Sequence, residues 1–477
     1  MEQLSYAALA ALQNDDFTLP SAPERVLQFG EGNFLRGFAD YFVDVMNEQA
    51  GFDSKVVVVQ PIESGLVDTI NAQDGLYTLY LRGQEGGQAV TRRRLISAIS
   101  RGINPYADFE AFLACAANPE LRFIVSNTTE AGIAYDPACR PDDRPPASFP
   151  AKLAVFLHER FARGLGGVIV LSCELIDDNG KALRECVLRH AEQWHLGADF
   201  SAWLRRENAF CSTLVDRIVT GYPAAEAEEL NRANGYVDKL LDTAEVFGAW
   251  VIEGDESIGA ELPFGQAGLP ITLTSDIAPY KQRKVRILNG AHTSLVLGAL
   301  LAGKTIVREC MHDEVCLAFL KRALFDEIIP TLDLPRADLE SFAGAVLDRF
   351  ANPHIDHKLA DIALNSTSKW RARVLPSATG YVAKFGAAPG CLAFSFAALL
   401  AYYQAGLGRD EQWVLDWFAE HALDDPGVLV AAACANERLW GRDLNDIPGF
   451  AAAVLGHLAA VKADPVAALA QAGRGHG

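Results

Sequence analysis

Apolar residues in the first 276 positions gather in short runs that alternate with amphipathic segments. Continuous β-branched runs such as Lys55–Gln60 and Gly167–Cys173 are typical of strands buried on both faces of a parallel sheet. Segments such as Ala151–Arg163 and Lys181–Trp194 instead carry apolar residues at helical spacing. Further elements are predicted as a helix at Pro105–Ala117 and strands at Arg25–Phe29, Tyr77–Arg82, Ala89–Ile99, Leu121–Val125, Phe210–Ile218, Val246–Glu253 and Leu269–Thr274. This alternation predicts an α/β fold with a doubly wound sheet.

After Asp276 the periodicity becomes almost entirely helical. Helices are predicted at Lys284–Leu301, Glu314–Phe325, Pro335–Arg349, His357–Asn365, Cys391–Ala405, Gln412–Ala422, Val428–Glu437 and the Ala-rich Phe450–Ala472. A chain of 477 residues is too long for one ordinary domain. We therefore expect an α/β domain at residues 1–276 and a mainly α-helical domain at residues 277–477.

Composition narrows the class of protein. A formal net charge of −19 disfavours nucleic acids and anionic membranes as partners, because phosphate binding needs clustered cations. Nine cysteines without a CxxC pair favour a reducing compartment. No signal peptide is visible, and the uncharged stretch from Gly386 to Gly408 contains only a short continuous helix, too short for a membrane span. We expect a soluble, cytoplasmic protein with a small-molecule partner; composition does not predict the oligomeric state.

A glycine turn follows the first predicted strand. Gly30-Glu31-Gly32-Asn33-Phe34-Leu35-Arg36 leads into an amphipathic helix that runs to about Glu48. Strand, glycine turn and helix together direct free backbone N–H groups toward a pyrophosphate. Leu35 replaces the third glycine of GxGxxG, so a simple turn is the alternative reading. The arrangement predicts a Rossmann-like, nucleotide-binding first domain.

Polar residues follow other predicted strands of this sheet. Glu63 comes after Lys55–Gln60, where a ribose hydroxyl would be received, although it is further from Gly30 than the usual spacing. No Lys or Arg follows that strand closely, which favours NAD over NADP. The tip Ser126-Asn127-Thr128-Thr129-Glu130 is placed for ligand binding or is a polar loop. The carboxylates of Glu174–Gly180 are read as a solvated turn, and no metal is expected.

Lys284, Asn289 and His292 are polar positions in an otherwise apolar helical run. A 100° step per residue puts Asn289 and His292 one turn apart and Lys284 within the same arc of about 140°. These groups could move a proton to or from a carbonyl while holding its oxygen. The alternative is a solvated lysine, a turn and a core histidine. Further on, the basic group Lys369-Trp370-Arg371-Ala372-Arg373 could hold a carboxylate or be a solvated charge run.

Taken in order, these segments resemble the mannitol dehydrogenase family of long-chain polyol and sugar-acid dehydrogenases. The motifs are Gly30–Arg36, Gln73-Asp74-Gly75-Leu76-Tyr77-Thr78, Thr129-Glu130, Val215-Asp216-Arg217-Ile218 and the Lys284, Asn289, His292 pattern. The resemblance implies metal-independent hydride transfer with NAD, in which Lys284, Asn289 and His292 are catalytic. NAD is expected at Gly30, Gly32, Asn33, Phe34, Arg36, Glu63, Asn127, Thr128, Thr129 and Glu130, and the substrate at Asp216, Arg217, Lys281, Lys369 and Arg371.

Two positions depart from the polyol-type pattern of that family. Leu175 stands where polyol members have an oxygen-holding Asn, and Lys281 stands where they have a proton-relay Glu. The extra positive charge favours a sugar acid over a neutral sugar as substrate. The alternatives are another polyol or sugar-acid dehydrogenase of the family, and a nucleotide-binding regulatory protein without catalysis.

Overall fold

A computed structural model describes residues 1–129 and 131–474 of the chain. It divides into two compact units. The first contains residues 1–82 and 90–277, and the second contains residues 83–89 and 278–477.

The strands of the chain are short, and most belong to the first unit. They are β1 (Glu24–Phe29), β2 (Lys55–Val59), β3 (Tyr77–Glu85), β4 (Gln88–Ile96), β5 (Ile99–Ile103), β6 (Phe123–Ser126), β7 (Ile169–Ser172), β8 (Ala209–Asp216), β9 (Asp242–Glu245), β10 (Ala249–Glu253) and β11 (Ile271–Thr274).

The main sheet of the described residues has eight strands in the order β11-β10-β8-β7-β6-β1-β2-β5. Its pairs are parallel except β8 with β10, which is antiparallel. From β1 the chain builds outward through β2 on one side and through β6 on the other. The gap between the carboxyl ends of β1 and β6 is therefore a topological switch point, where open α/β sheets bind ligands.

Both faces of this sheet are covered. Along β2, Val56 and Val58 belong to one apolar cluster, whereas Val57 and Val59 belong to the cluster on the other side. This is the alternation that a strand buried on both faces requires. The doubly wound α/β prediction is confirmed.

A second, three-stranded sheet has the order β4-β3-β9. The predicted strand pair Tyr77–Arg82 and Ala89–Ile99 is confirmed as β3 and β4, but β4 ends at Ile96 because the chain changes sheets between β4 and β5. At that break, Ser97 donates to Asp44 Oδ1 from both its backbone N–H (2.9 Å) and its hydroxyl (3.1 Å). These side-chain bonds replace ladder bonds and let the chain bend.

The helices of the first unit are α1 (Tyr6–Ala11), α2 (Asn33–Leu35), α3 (Tyr41–Ala50), α4 (Val67–Ala72), α5 (Phe109–Ala114), α6 (Phe149–Ala162), α7 (Asn179–Gln193), α8 (Ala198–Arg206), α9 (Ala227–Asn234) and α10 (Ser257–Glu261). A π-helical turn, Arg36–Asp40, joins α2 to α3, and a 3₁₀ turn, Cys115–Ala117, follows α5. The helix predicted from Pro105 begins only at Phe109, because Asp108 caps it by accepting from Ala111 N–H at 2.9 Å.

The second unit is mainly helical, as predicted. Its helices are α11 (Ala278–Arg283), α12 (Gly290–Leu301), α13 (Val307–Met311), α14 (Glu314–Arg322), α15 (Arg336–Phe350), α16 (Leu359–Ile362), α17 (Ser366–Arg373), α18 (Leu375–Phe385), α19 (Gly390–Gln404), α20 (Gln412–Glu420), α21 (Pro426–Ala435), α22 (Glu437–Trp440), α23 (Phe450–Ala463) and α24 (Pro465–Arg474). Lys284–Asn289 and Ala323–Ile328 are π-helical, and Ile329–Thr331 and Leu444–Asp446 are 3₁₀ turns.

The helix α19 contains no charged residue and is buried along most of its length. Its N-terminal backbone is satisfied by the side chain of Glu327, which accepts from Cys391 N–H at 2.8 Å and from Leu392 N–H at 3.0 Å. Within residues 1–129 and 131–474, no helix is both long and apolar enough to cross a membrane. All nine cysteines are free and buried.

Candidate active site

The glycine turn after β1 is shaped by close backbone packing. Gly30 has φ +122°, and a Cβ there would come within 3.1 Å of both Asn127 O and Leu35 Cδ1. Gly32 is the N-cap of α2 without a side-chain capping bond, and a Cβ there would meet nothing within 4 Å. The turn therefore leaves the start of the helical run Asn33–Ala50 open for an anionic group.

Arg36 supports this turn from inside the fold. Its guanidinium is 2% exposed and donates to Glu31 O (3.2 Å), Leu240 O (2.5 Å) and Asn33 Oδ1 (2.6 Å). It thus fixes the backbone of the turn and the side chain of Asn33. Phe34 stacks on Phe38, with ring centroids 5.0 Å apart. Arg36 and Phe34 are thereby positioned to shape the cofactor site that the sequence predicts.

The charge of Arg36 acts on two buried carboxylates, Asp40 and Asp242. Burial raises the pKa of Asp40 to about 7 and that of Asp242 to about 7, and the positive charge of Arg36 opposes both shifts. Gln28 links Asp40 to the turn, because its Nε2 donates to Asp40 Oδ2 (3.2 Å) and to Gly30 O (3.1 Å). The glycine turn consequently rests on a buried network whose charge changes near neutral pH.

The tip after β6 lies beside the glycine turn and is held by Glu174. Its carboxylate accepts from Ser126 Oγ (3.2 Å) and from both N–H and Oγ1 of Thr128 (3.1 Å each). Asn127 donates from Nδ2 to Cys173 O at 2.6 Å, and Thr129 has a left-handed backbone with φ 73°. The interpretation of Glu174 as a solvated-turn residue was wrong, since Glu174 is 2% exposed and supports the predicted cofactor tip.

These segments enclose a cavity of about 530 Å³ at the switch point. Its walls include Gly30–Gly32 after β1, Pro61 and Ile62 after β2, and Asn127–Thr129 after β6. Glu63 is exposed immediately beyond Ile62. Glu130 lies outside the described residues. The structure therefore gathers Gly30, Gly32, Asn127, Thr128 and Thr129 around one cavity, with Glu63 following its rim in sequence.

Asp216 and Arg217, predicted to bind substrate, are both buried in the first unit. Arg217 donates to Phe247 O (2.9 Å), Gly37 O (2.9 Å) and Val246 O (3.3 Å). Burial lowers its pKa to about 10. These bonds tie β8 to the turn that follows Arg36, so the structure gives Arg217 a positioning role, and its role in binding substrate stays a prediction.

In the second unit, the predicted catalytic residues lie on one continuous helical run, Ala278–Leu301. The run is not a regular α-helix: Lys284–Asn289 forms a π turn, and Gly290 N–H donates to Val285 O, five residues earlier. A π turn closes i→i+5 bonds, so residues five apart lie closer to one face than in an α-helix. Lys284 and Asn289 have this spacing, and both are half-buried. Such turns occur frequently at functional sites.

His292 follows one α-helical turn after Asn289. Its ring stacks on Phe350 with centroids 3.9 Å apart, and it lies perpendicular to the His357 ring with centroids 5.2 Å apart. Nε2 is buried and has no hydrogen-bond partner among the described residues. Burial, followed by the charges of His357, Arg349, Arg373 and Lys369, lowers the pKa of His292 well below 6.5. His292 is therefore a neutral imidazole at working pH, with one ring nitrogen available to a ligand.

The basic residues predicted to bind substrate separate in space. Lys281 lies three residues before Lys284 on the same helical run and is half-buried. Lys369 and Arg373 carry charges that act on His292. Arg371 is exposed and lies against Gly441, where an added Cβ would come within 2.5 Å of its Nη2. Of the predicted basic residues on α17, Lys369 therefore lies near the candidate catalytic residue His292, and Arg371 does not. Arg373, which was not among the residues predicted to bind substrate, lies near His292 as well.

Three residues of these sites were not predicted as such: Glu174, Phe350 and His357. A carboxylate at the end of a buried strand was a signal for Glu174, although a solvated turn has the same pattern. For Phe350 the sequence gives no signal, because an aromatic residue at the end of an amphipathic helix is usually part of the core. His357 was predicted as the first residue of a helix, but that helix begins only at Leu359.

A nucleotide-type cavity at a sheet switch point and a Lys–Asn–His turn on a helical unit define a two-domain dehydrogenase. The sequence profile of the mannitol dehydrogenase Rossmann domain matches residues 24–265, and that of the mannitol dehydrogenase C-terminal domain matches residues 276–462. The chain belongs to the mannitol dehydrogenase family.

Relatives and solved structures agree with this assignment. The chain is 46% identical to an altronate oxidoreductase of Klebsiella pneumoniae (strain 342) and 47% identical to one of Cronobacter sakazakii, in each case over 95% of this chain and 97% of the relative. A D-sorbitol dehydrogenase structure superposes with a TM-score of 0.78 at 23% identity, covering 94% of this chain and 95% of the other. A Pseudomonas fluorescens mannitol 2-dehydrogenase structure does so with a TM-score of 0.64 at 23% identity, covering 98% of each. At that identity the two structures establish the fold.

Proposed function

We propose that the protein is an NAD-dependent oxidoreductase that interconverts D-tagaturonate and D-altronate in hexuronate breakdown. The observation that carries the proposal is the 46–47% identity to altronate oxidoreductases over 95% of the chain. Residues 1–276 are the NAD-binding part and residues 277–477 the catalytic part of this proposal. The cysteine pattern keeps the cytoplasm as the predicted compartment.

The residues of the first unit fit NAD. The cavity of about 530 Å³ is within the usual range for cofactor and ligand sites. In this proposal Gly30 and Gly32 allow a pyrophosphate to approach the open helix start, and Glu63, which follows the wall residue Ile62, receives a ribose hydroxyl. No cation follows Glu63 in the segment Pro61–Leu66, which favours NAD over its 2′-phosphorylated form. When bound, NADH supplies the hydride.

In this proposal Lys284 transfers the proton, and Asn289 and His292 bind the reacting oxygen. Lys284 donates a proton to the keto oxygen as the carbonyl is reduced, and takes it back from the alcohol in the reverse direction. The Asn289 amide and the neutral His292 ring orient and polarise that oxygen. Each well-placed donor of this kind is typically worth about 2.7–4 kcal/mol of transition-state stabilisation.

The preference for an acidic sugar is supported by charge. Lys281, Lys369 and Arg373 add positive charge to a unit of a chain whose net charge is −19. Leu175, which replaces the asparagine of the polyol-type pattern, is 63% exposed and cannot hold an oxygen by hydrogen bonding.

Replacing Lys284 with Ala tests the mechanism. We expect NADH oxidation with D-tagaturonate to fall by at least about 100-fold, as for loss of a general acid, while NADH binding measured by fluorescence titration is retained. Lys462→Ala, an exposed lysine of the same unit, is the matched control. Near-normal turnover of Lys284→Ala at neutral pH would remove Lys284 from the mechanism.

A substrate panel tests the assignment itself. Under NADH, we expect D-tagaturonate to be reduced in preference to D-fructuronate and D-fructose. A preference for fructuronate would make the enzyme a fructuronate reductase, and a preference for neutral fructose would contradict the sugar-acid assignment. Absence of NADH oxidation with every keto sugar would instead indicate a non-catalytic nucleotide-binding protein.

A further inference from the structure

Two half-buried cations lie on one face of α17. Lys369 and Arg373 are four residues apart, so they are neighbours on the helix surface. Between them, Trp370 is 1% exposed and packs against Phe396 (centroids 4.6 Å apart) and Trp440 (5.6 Å). This anchored tryptophan fixes the rotation of α17 and thereby the direction of the cationic face.

That face is directed toward the first turn of α12, which carries His292. Arg373 Nη1 lies 3.5 Å from Thr293 Oγ1, and a Cβ added to Gly290 would be 3.1 Å from Arg373 O. Because the backbones approach so closely, the guanidinium has little freedom to leave the neighbourhood of His292. The charges of both cations contribute to the lowered pKa of His292, after burial and the contributions of His357 and Arg349.

Within the described part of the chain, no carboxylate forms an ion pair with either cation. Lys369 Nζ donates to Ile362 O at 2.9 Å, and the hydrogen bond of Arg373 goes to the neutral Thr293. Asp410 acts on Lys369 only through its charge, because its Oδ2 accepts from Thr367 N–H (3.2 Å), Thr367 Oγ1 (2.8 Å) and Tyr403 OH (2.7 Å).

Placing two half-buried cations together without a paired anion is unfavourable. The pKa of Lys369 reflects this, since burial and then the charge of Arg373 lower it. A strongly acidic chain offers many carboxylates, yet none pairs with these two groups among the described residues. The arrangement is the one expected of a site whose anion arrives with the ligand.

We propose that Lys369 and Arg373 bind the carboxylate of the sugar acid, and that Arg373 sets the preference for an acid over the corresponding neutral sugar. This inference rests on the proposed function and names the residues that recognise its substrate class. A guanidinium matches a carboxylate with two parallel hydrogen bonds, which the Lys369 ammonium cannot do. His292, being neutral, is left to contact a hydroxyl or the keto oxygen, so the carboxylate and the reacting end are recognised by different groups.

The test compares D-altronate with D-altritol, its neutral counterpart. For each compound, calorimetry measures the affinity for the NAD-loaded enzyme, and steady-state kinetics measure kcat/KM for oxidation with NAD. Arg373→Gln removes the positive charge, whereas Arg373→Lys keeps a positive charge but cannot form two parallel hydrogen bonds to a carboxylate. Arg371→Gln tests the alternative that the opposite face of α17 binds the carboxylate, because Arg371 is two residues, or about 200° around the helix, from both Lys369 and Arg373. Lys384→Gln, an exposed cation on α18, is the control for charge loss.

We expect Arg373→Gln to weaken altronate binding and lower its kcat/KM by about 10–100-fold, the range for loss of a hydrogen bond between charged groups. The affinity and the kcat/KM for altritol should change by less than about threefold in the same variant, because altritol has no carboxylate to bind Arg373. Arg373→Lys should recover part of the loss with altronate. Lys369→Gln should act in the same direction, and Lys384→Gln should not.

Three results would overturn the inference. Equal losses for altronate and altritol would show a structural role for Arg373. A loss in Arg371→Gln without one in Arg373→Gln would assign the carboxylate to the other face of α17. Wild-type binding of altronate no tighter than that of altritol would remove the subsite. By contrast, Arg373-dependent binding of altronate without turnover would support the subsite and contradict the proposed reaction.

Discussion

Arg36 is the residue of the first unit whose loss gives the sharpest test of this structure. Its guanidinium makes three hydrogen bonds, to Glu31 O, Leu240 O and Asn33 Oδ1, and its charge acts on the buried carboxylates of Asp40 and Asp242. The substitution Arg36→Met keeps most of the side-chain volume and removes the charge and all three bonds. We expect it to destabilise the protein, and to do so more at high pH.

The sign follows from the two carboxyl groups. Their pKa values are raised from 3.8 to about 7, so their contribution to stability is full below pH 3.8 and is lost as the pH rises through about 7. Arg36 lowers both pKa values, so without it they rise further. Above about pH 7, where both carboxyls are charged, the substitution breaks a buried charge pair, which typically costs about 3–5 kcal/mol. If each pKa rises by about one unit, at 1.36 kcal/mol per unit, the loss at pH 8.5 exceeds the loss at pH 5.5 by about 3 kcal/mol.

Urea unfolding of wild type and Arg36→Met at about pH 5.5 and pH 8.5 measures this difference directly. The double variant Arg36→Met/Asp40→Asn removes one of the two acids. The difference between its stability losses at pH 8.5 and pH 5.5 should therefore be about half of that for Arg36→Met. A loss of stability that is equal at the two pH values, or larger at pH 5.5, would refute the assignment of these groups as a coupled network.

Two further predictions concern the cofactor cavity. Gly30→Ala should weaken NADH binding by at least about tenfold and lower Tm, because a left-handed φ costs about 1–3 kcal/mol and the new methyl group would lie 3.1 Å from Asn127 O. The control Gly32→Ala should leave Tm nearly unchanged, because Gly32 has φ −66° and open space around it. Equal losses of Tm in the two variants would contradict this account of the turn. Glu174→Gln should weaken NADH binding by about tenfold, because one of the two oxygens that order Ser126 and Thr128 is lost; fluorescence titration with unchanged affinity would show that Glu174 does not order the tip.

Local patterns predicted most of the fold. The β-branched run Lys55–Gln60 can be satisfied only when both faces are buried, and it forms an interior strand of the main sheet, paired with β1 and β5. The chain's change of sheet at Ser97 was not predictable, because it depends on bonds to Asp44, 53 residues away in sequence. Likewise, β9 and α8 were missed, since short segments have weak periodicity and are fixed by their neighbours.

For the candidate sites, the sequence determined the types of residue and their order: a glycine turn after a strand, a polar tip after another, and a lysine, an asparagine and a histidine in one helical run. Those features depend on chemistry and on spacing within a few residues, which the chain itself encodes.

Tertiary structure decided which groups share a face and which are buried. The π turn at Lys284–Asn289 changes the angles that α-helical spacing predicts. The packing of Trp370 turns Arg373, and not Arg371, toward His292. Burial, followed by the charges of His357 and Arg349, lowers the pKa of that histidine and makes it neutral. Each of these depends on contacts between segments distant in sequence, because burial and orientation are properties of the packed chain and not of local spacing.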